Sequence, residues 1–587
     1  MNRWLIPTLL WAAVAVLVTW PLALHPATTL LGDPRVDVWN HAWGFWYVAE
    51  SLAVGEWPTW TPLAGGPGGG ALYFIDAPGA VIWAPVTWLA GPAVAYNLAL
   101  MMRVFLSGVA GQLLYEEIEG QDAGRWISGL ACATLPFLLC ELHNGISEVS
   151  SLHWVAGSLW ASARVGRRGK AVDWALLGLM GGLAAAWSFY QGLSAALAVG
   201  VFLLLRQGQL LWRERRLLPG VWTGLPLAAV IGGALATPVW LVFKASLDAP
   251  DALISRSLSL HVALLEHNAV DPRIYLMPGA FQSVDLMGVY GEPFLHTGYL
   301  RLTVVVLALL AVIWRPKARI WAGVCLSSLV LGLGTYLWWG DSFVTFAGGW
   351  KLSLPFGWLV DVLPQIAITH PLRLSLPGQI LACVLAGQGA VWLMARFANA
   401  RWPAMIAGAL LVSESLWGSL AVWPIPSSPS TVPPALAQLQ ETQGMVLNLP
   451  VEVGTSMLTS RYFWWQTLHE RPIPFVPDVR LGSAKDPFLQ HWSGVMEETP
   501  RPLTGKLKRK MLARYGAVVL HPEWSQMAGT QPYERILRDA FGEPISQDGL
   551  LIWMLPGDKD LDALDDSDLG PGLSQPRPGG APPPPPQ

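Results

Sequence analysis

Residues 5–24 read LIPTLLWAAVAVLVTWPLAL, an uncharged run that follows Arg3 and closes at His25. At 1.5 Å per helical residue such a run spans about 30 Å, the thickness of a bilayer's hydrocarbon core. It exceeds a signal-peptide core, and no small-x-small cleavage site stands near His25, so it reads as a retained first membrane span. The rest of the chain agrees. Of 587 residues, 53% are hydrophobic and only 13% charged, about half the charge of a soluble domain. The 33 tryptophans suit a membrane–water interface, where the indole ring and its N–H are both satisfied.

Further apolar cores follow at Ala93–Tyr115, Trp126–Cys140, Ser150–Ala163, Trp174–Trp187, Tyr190–Leu205, Val221–Phe243, Leu302–Trp314, Ile320–Trp339, Leu376–Met394 and Met405–Val422. Basic residues mark the connections on one side: Arg164, Arg167, Arg168 and Lys170; Arg206, Arg213, Arg215 and Arg216; Arg315, Lys317 and Arg319; Arg396 and Arg401. The positive-inside rule puts these in the cytoplasm with Arg3. The acidic connection Glu116–Arg125 disagrees, although acidic residues weigh little in orientation. Pro78–Ala90 is also apolar. As a full crossing it would invert every later basic loop, so it reads as a re-entrant lead.

The expectation is therefore an α-helical polytopic membrane protein with about eleven transmembrane helices, in the cytoplasmic (inner) membrane. The N-terminus is cytoplasmic, and a small C-terminal α/β domain is extracytoplasmic. The expected divisions are a transmembrane domain over 1–424 with a large first outer loop at 25–80, the α/β domain over 425–556, and a tail over 557–587. Met445–Leu449, Ala517–His521 and Leu550–Leu555 are the expected strands, with Tyr462–Leu468 and Tyr533–Phe541 as helices between them. The acidic, proline-rich tail is expected to be disordered.

Several function classes are excluded or weakened. No basic patch alternates with aromatics, which argues against nucleic acid. Cys132, Cys140, Cys325 and Cys383 lie in apolar stretches with no metal-ligand spacing and read as small buried side chains. GGPGGG at 65–70 lacks the Lys-Ser/Thr of a phosphate loop. Gly332 and Gly334 suit close helix packing. Glu414 and Arg103 are intramembrane charges that call for partners.

The outer side receives the long, irregular loops, and the first is the most suggestive chemically. In LGDPRVDVWNHAWGFWYVAESLA, Trp39, Ala42, Trp43, Trp46, Ala49 and Ala53 recur at helical spacing. The pattern predicts a helix lying in the membrane interface. Asp33 and Asp37 stand just before it. Each has an ordinary alternative: a turn with Pro34 for Asp33 and a helix cap for Asp37. Glu141, His143 and Glu148 cluster in ELHNGISE, where they could position an acceptor or, with Asp37, hold a divalent ion. Asp76, in YFIDAP, is either a cap or a site residue.

These elements resemble the GT-C superfamily of polytopic glycosyltransferases, in particular bacterial members or their relatives. The resemblance rests on GDPRVDVWNHAW, YFIDAP, GPAVAYNLAL, LGLGTYL, ITHPLRLSLPG, VSESL and QTLHERPIPF, in order from about Pro21 to Phe475. It implies a polyprenyl-phosphate sugar donor, transfer outside the membrane, and a catalytic acid in the first outer loop. Asp37 is the first choice and Asp33 the alternative, because the loop departs from a strict paired-acid motif. Such transfer needs a base for the acceptor hydroxyl and a cation for the departing phosphate. Arg373, with His370 beside it in THPLRLS, could hold that phosphate, or else snorkel at the interface. Lys244 and Arg301 read as ordinary interfacial anchors. His41, Glu148, His143 and Asp76 complete the expected substrate contacts. Membrane lipids and a glycan, lipid or protein acceptor are the expected partners. Two other classes stay open: a transporter or flippase, and a non-catalytic assembly protein of the same fold.

Overall fold

The computed structural model describes residues 5–254, 258–278, 296–340, 342–397, 401–421, 423–451, 458–477, 488–489, 492, 502–523 and 531–556. The expected tail at 557–587 lies outside the described residues.

Helix α1 (Leu5–Val18) opens the chain, and the long first loop carries β1 (Thr29–Leu31), α2 (Val38–Ala53) and the β2–β3 pair (Trp60–Thr61, Gly70–Ala71). A helical hairpin follows, α3 (Ala77–Ala90) and α4 (Pro92–Ile118), turning at Gly91 with φ 86°. Next come α5 (Gly124–Ala133), α6 (Pro136–His143), α7 (His153–Arg167), α8 (Ala171–Trp187), α9 (Phe189–Glu214) and α10 (Val221–Asp248). The second half holds α11 (Leu258–His267), α12 (Leu302–Trp314), α13 (Ala318–Leu331), α14 (Pro355–Val362), α15 (Leu376–Met394) and α16 (Arg401–Leu416). Among the described residues, five helical stretches are long and apolar enough to cross a membrane: α4, the α5–α6 unit, α9, α10 and residues 371–394. The chain is thus a multi-pass membrane protein. Segment α3 is a 14-residue helix packed antiparallel on the start of α4: Asp76, at its N-terminus, reaches Arg103 twelve positions into α4.

After α16 come β6 (Ser427–Pro429), β7 (Met445–Leu449), α17 (Leu458–His469), α18 (Gly505–Arg514), β8 (Tyr515–Leu520), α19 (Gln531–Phe541), β9 (Ile545–Gln547) and β10 (Leu550–Met554). Four strands form one sheet in the order β7-β8-β10-β9, with β7 parallel to β8 and the other pairs antiparallel. β8 and β10 are continuous apolar runs, as strands buried on both faces require, and β7 is interrupted only by Asn448, which is buried against the His521 ring at 3.1 Å.

At one end of the bundle two of the four basic connections meet the acidic one. Glu117 takes Arg164, Arg167 and Arg168, Glu119 takes Arg315, and Glu116 takes Arg125. The connection that broke the charge pattern is therefore the counter-charge of the same face.

Arg301 is no interfacial anchor. It is fully buried, and its guanidinium donates to the carbonyls of Ala131 and Thr134 and to the hydroxyls of Thr134 and Ser415. The cause lies in the break before Pro136, where α5 ends and α6 begins: Leu135 donates to Cys132 rather than Ala131, so the Ala131 and Thr134 carbonyls take the arginine's donors instead of helical amides. Glu414 also has a defined partner: its carboxylate accepts from the backbone N–H of Thr303 at 2.9 Å, in the positive first turn of α12. All four cysteines are free and buried.

Helix α2 is not an interfacial helix. Trp39, Trp43, Phe45, Trp46, Tyr47 and Val48 are all buried, enclosed by α3, α4 and α17. Trp43 stacks on Tyr47, meets Phe463 edge-on with centroids 5.0 Å apart, and donates to Gln466. Gln466 in turn donates to the Leu63 carbonyl. Its aromatic stripe is core between the bundle and the C-terminal sheet region. Sequence periodicity reports an apolar face without reporting what covers it.

Candidate functional site

The turn ELHNGISE lies directly on the start of α2. Gly145 has φ 70°, and a Cβ there would come within 2.6 Å of the Val38 Cα. Only glycine accepts both the left-handed backbone and that approach. Tyr96 locks the arrangement by donating its hydroxyl toward the carbonyls of Leu31 and Gly145. The turn's carboxylates thereby arrive beside Asp37, which begins α2 without capping it through its side chain.

A buried network stands behind the turn. Asp76 pairs with Arg103 at 2.7 Å and accepts from the Ser147 hydroxyl, while Arg103 also binds the Ser147 carbonyl. Ser147 reaches the His41 ring at 3.0 Å, and Glu148 stands 3.7 Å from the same ring nitrogen. Burial pulls the His41 pKa down to about 3, helped by Arg103 and Arg373, so the ring is neutral. Burial pushes Glu148 up to about 8, against the opposing pull of Arg373. At neutral pH Glu148 is largely a neutral acid.

In front of the turn, Arg373 lies 3.8 Å from Glu141 and covers the Tyr190 ring at 4.5 Å. Asp37 acts electrostatically on both Arg373 and Glu141. A cleft runs between α6 and residues 370–373, with Asn268, His296 and Thr297 opposite. Thr369 anchors its rim, meeting the Tyr190 hydroxyl at 3.0 Å and the His370 ring at 2.9 Å, and Asn268 donates to its carbonyl. Among the described residues, one carboxylate oxygen each on Glu141 and Glu148, and the Arg373 Nε, are buried without a hydrogen-bond partner. Unsatisfied buried polar groups are costly, and their concentration on side chains in and just behind one cleft is a mark of function.

Of the residues expected from sequence, Asp37, His41, Glu141, Glu148, His370 and Arg373 gather around this cleft and the turn behind it. Asp76 is fully buried in its ion pair. Asp33 and His143 form a separate pair: the Asp33 carboxylate is held by the Arg35 guanidinium at 2.9 and 3.0 Å, with the His143 ring 4.0 Å away. Burial alone would raise the Asp33 pKa, but hydrogen bonds from the Arg35 side chain and backbone outweigh it and hold the carboxylate below its ordinary value. Ser147, Tyr190, Asn268, Thr369 and His296 carried no spacing that set them apart in sequence. Among the described residues no three His, Cys, Asp or Glu side chains are arranged to hold a metal ion, and Arg373 supplies the cation that Glu141 faces.

No protein-family model and no curated protein matches the chain. Among solved structures, a mutant form of the arabinofuranosyltransferase AftD from Mycobacteria aligns over 89% of this chain and 37% of its own, with 17% identity and a TM-score of 0.50. This chain thus spans little more than a third of that enzyme's length. The apo oligosaccharyltransferase of Archaeoglobus fulgidus aligns over 90% of this chain and 71% of its own, with 12% identity and a TM-score of 0.46. ArnT from Cupriavidus metallidurans bound to undecaprenyl phosphate aligns over 90% and 95%, with 13% identity and a TM-score of 0.45. At these identities the likeness is one of fold. The apolar helical bundle and the superposition on AftD together give this membrane protein the GT-C-like fold.

Proposed function

We propose that the protein is a membrane glycosyltransferase that transfers a sugar from a polyprenyl-phosphate donor to an acceptor on the extracytoplasmic side. The observation that carries it is the grouping of three carboxyl groups, Asp37, Glu141 and Glu148, about Arg373, which feels the charge of all three, with Glu141 and Arg373 themselves lining the cleft. Asp37 takes the proton of an acceptor hydroxyl as its oxygen attacks the anomeric carbon. The bond from that carbon to phosphate breaks, and the polyprenyl phosphate leaves with the electron pair, stabilised by Arg373 with His370 beside it. A neutral Glu148, in the turn behind the cleft, removes one negative charge from the surroundings of a site that must admit a phosphate. Asp33 is the weaker base, since both its oxygens are engaged by Arg35. The membrane portion makes about eleven crossings from a cytoplasmic N-terminus, with the basic face inside. Residues 425–556 then form an extracytoplasmic α/β domain seated on the first loop, placed to recognise a glycan, lipid or protein acceptor.

The test is transfer in proteoliposomes supplied with labelled polyprenyl-phosphate sugars and a panel of acceptors. Asp37→Asn is expected to lower the rate about 10²–10⁴-fold, the usual worth of a general base. Asp33→Asn is expected to retain most of it, and Arg373→Gln to weaken undecaprenyl phosphate binding in a thermal-shift titration. If neither aspartate variant changes a measured transfer rate, the assignment of the base is wrong. Retained phosphate binding in a protein that moves lipid-linked sugar across the bilayer without transferring it would favour a flippase.

A further inference from the structure

Between α13 and the cleft rim, residues 336–366 form a compact outer element. Its hairpin carries β4 (Trp338–Trp339) and β5 (Ser342–Phe343), extended by bridges from Tyr336 to Ser353 and Thr345 to Lys351, and α14 follows. The two sides of this element differ. On the inner side Phe356 is fully buried, and Gly357 lies so close to the Thr335 carbonyl that a Cβ would stand 2.7 Å from it. Phe356 packs with Leu265, Leu331, Ile368 and Leu374. On the outer side Trp339, Phe346, Trp350, Trp358, Val362 and Leu363 are exposed, with Trp350 at 78% and Val362 at 77%. Trp358 and Val362 are four apart on α14 and so share a face.

Six large apolar side chains over 25 positions exceed the scattered exposure of an ordinary soluble surface. The element is joined to the end of a bundle helix whose own outward face is apolar, with Leu326 on α13 63% exposed. Asp361 is exposed on the same α14 face, which sets a depth: the face can sink to the headgroup level but not into hydrocarbon. Tryptophans are the side chains that such a depth favours. We propose that residues 336–366 form an interfacial wedge whose Trp339, Phe346, Trp350, Trp358 and Val362 side chains rest in the outer-leaflet headgroup zone of the bilayer. Phe356 of the wedge belongs to the same small apolar cluster that Tyr190 packs against, and the Tyr190 hydroxyl holds Thr369 while its ring carries Arg373. Lipid contact there fixes the rim of the cleft at the level where a lipid phosphate would lie.

This contact rests on the membrane character of the chain and on the orientation proposed above, not on the transfer chemistry, so it stands or fails apart from the choice of donor, acceptor and base. The native cysteines are buried, so single cysteines can be introduced by W358C and W350C and labelled with an environment-sensitive fluorophore in the full-length protein in nanodiscs. A Q547C label on the exposed strand β9 serves as the aqueous reference. Lipids carrying a nitroxide near the top of the acyl chain are expected to quench emission at 358 and 350, with little loss to aqueous iodide. The reference label is expected to show the reverse. Iodide quenching at both wedge positions equal to that at 547 would overturn the proposal. So would labels that neither quencher reaches in native membranes but that iodide reaches in nanodiscs, since a protein partner would then occupy the face. Two positions in different parts of the wedge guard against one substitution disturbing the fold.

Discussion

The carboxyl of Glu148 sits in a buried turn, 3.7 Å from a neutral imidazole, and its ionisation has a thermodynamic consequence. Its pKa rises from 4.5 to about 8 on folding, chiefly through burial, so the folded state holds this proton more tightly than the unfolded chain. Its contribution to stability is fully present below about 4.5 and is lost as pH climbs to about 8. Thermal melts in detergent micelles are expected to show Glu148→Gln losing part of the wild-type decline across that range. A wild-type slope retained in full by the variant would contradict the assignment. Asp33 has the opposite sign: its depressed pKa gives stability that is present above the ordinary value and lost as pH falls through the folded one. Asp76 and Arg103 are a further residue-scale case. Removing one partner of a buried pair strands the other, so Arg103→Met is expected to cost about 3–5 kcal/mol. The double variant Asp76→Leu with Arg103→Met is expected to recover much of that, as read by unfolding midpoints of the four proteins. Additive losses would show that the two residues do not act as a pair. The sequence flagged Arg103 as a charge in an apolar run and Asp76 as an acid near a helix start. It had no means of joining them, because 27 positions of helix–turn–helix separate them and only the hairpin's antiparallel packing sets that register.

At the level of elements, the helix broken at Pro136 and the arginine that repairs it are one device. Arg301 donates to Ala131, Thr134 and Ser415 and thus ties α5 and α16 to the start of α12. Arg301→Met is expected to leave buried carbonyls without donors and destabilise the bundle by about 2–5 kcal/mol. Arg301→Lys should lose less, since an ammonium reaches one or two of these acceptors but not the whole set. A melting temperature in detergent unchanged by both substitutions would show that the network is dispensable. The proline was visible in sequence, and so was an arginine at a helix end. Their relation was not, because an arginine beside an apolar run reads equally as an anchor and as a staple until its neighbours are known. Elements built on periodicity were more legible. Met445–Leu449 and Leu550–Met554 are strands where the apolar runs lay, whereas β1, β6 and β9, three residues each, are too short to leave a pattern. Helix α2 was legible as a helix and misassigned in its surroundings, since the α17 side chains that cover it lie some 420 residues downstream.

Across the whole molecule, the C-terminal region is part of the fold of the first loop. It covers Trp43 through Phe463 and Gln466, and residues 473 and 475 hydrogen-bond to the 63–65 segment. Deleting residues 430–556 is therefore expected to expose the α2 tryptophans and yield aggregated, protease-sensitive protein on size exclusion in detergent. A monodisperse truncate with an intact melt would show the region to be an independent module. The order of synthesis adds a further consequence. Strand β1 follows the first helix and pairs antiparallel with β6, which follows α16, the last helix of the bundle, Thr29 against Pro429 and Leu31 against Ser427. Trp423 also donates across the same seam to the Leu17 carbonyl. The first loop therefore emerges early but cannot acquire its partner until nearly 400 further residues have been made. At roughly 5–20 residues per second that wait is on the order of 20–80 s. A ribosome that stops short of α17 leaves the loop with its tryptophans bare, so burial of the first loop reports that translation has passed the last helix of the bundle and the segment that caps it.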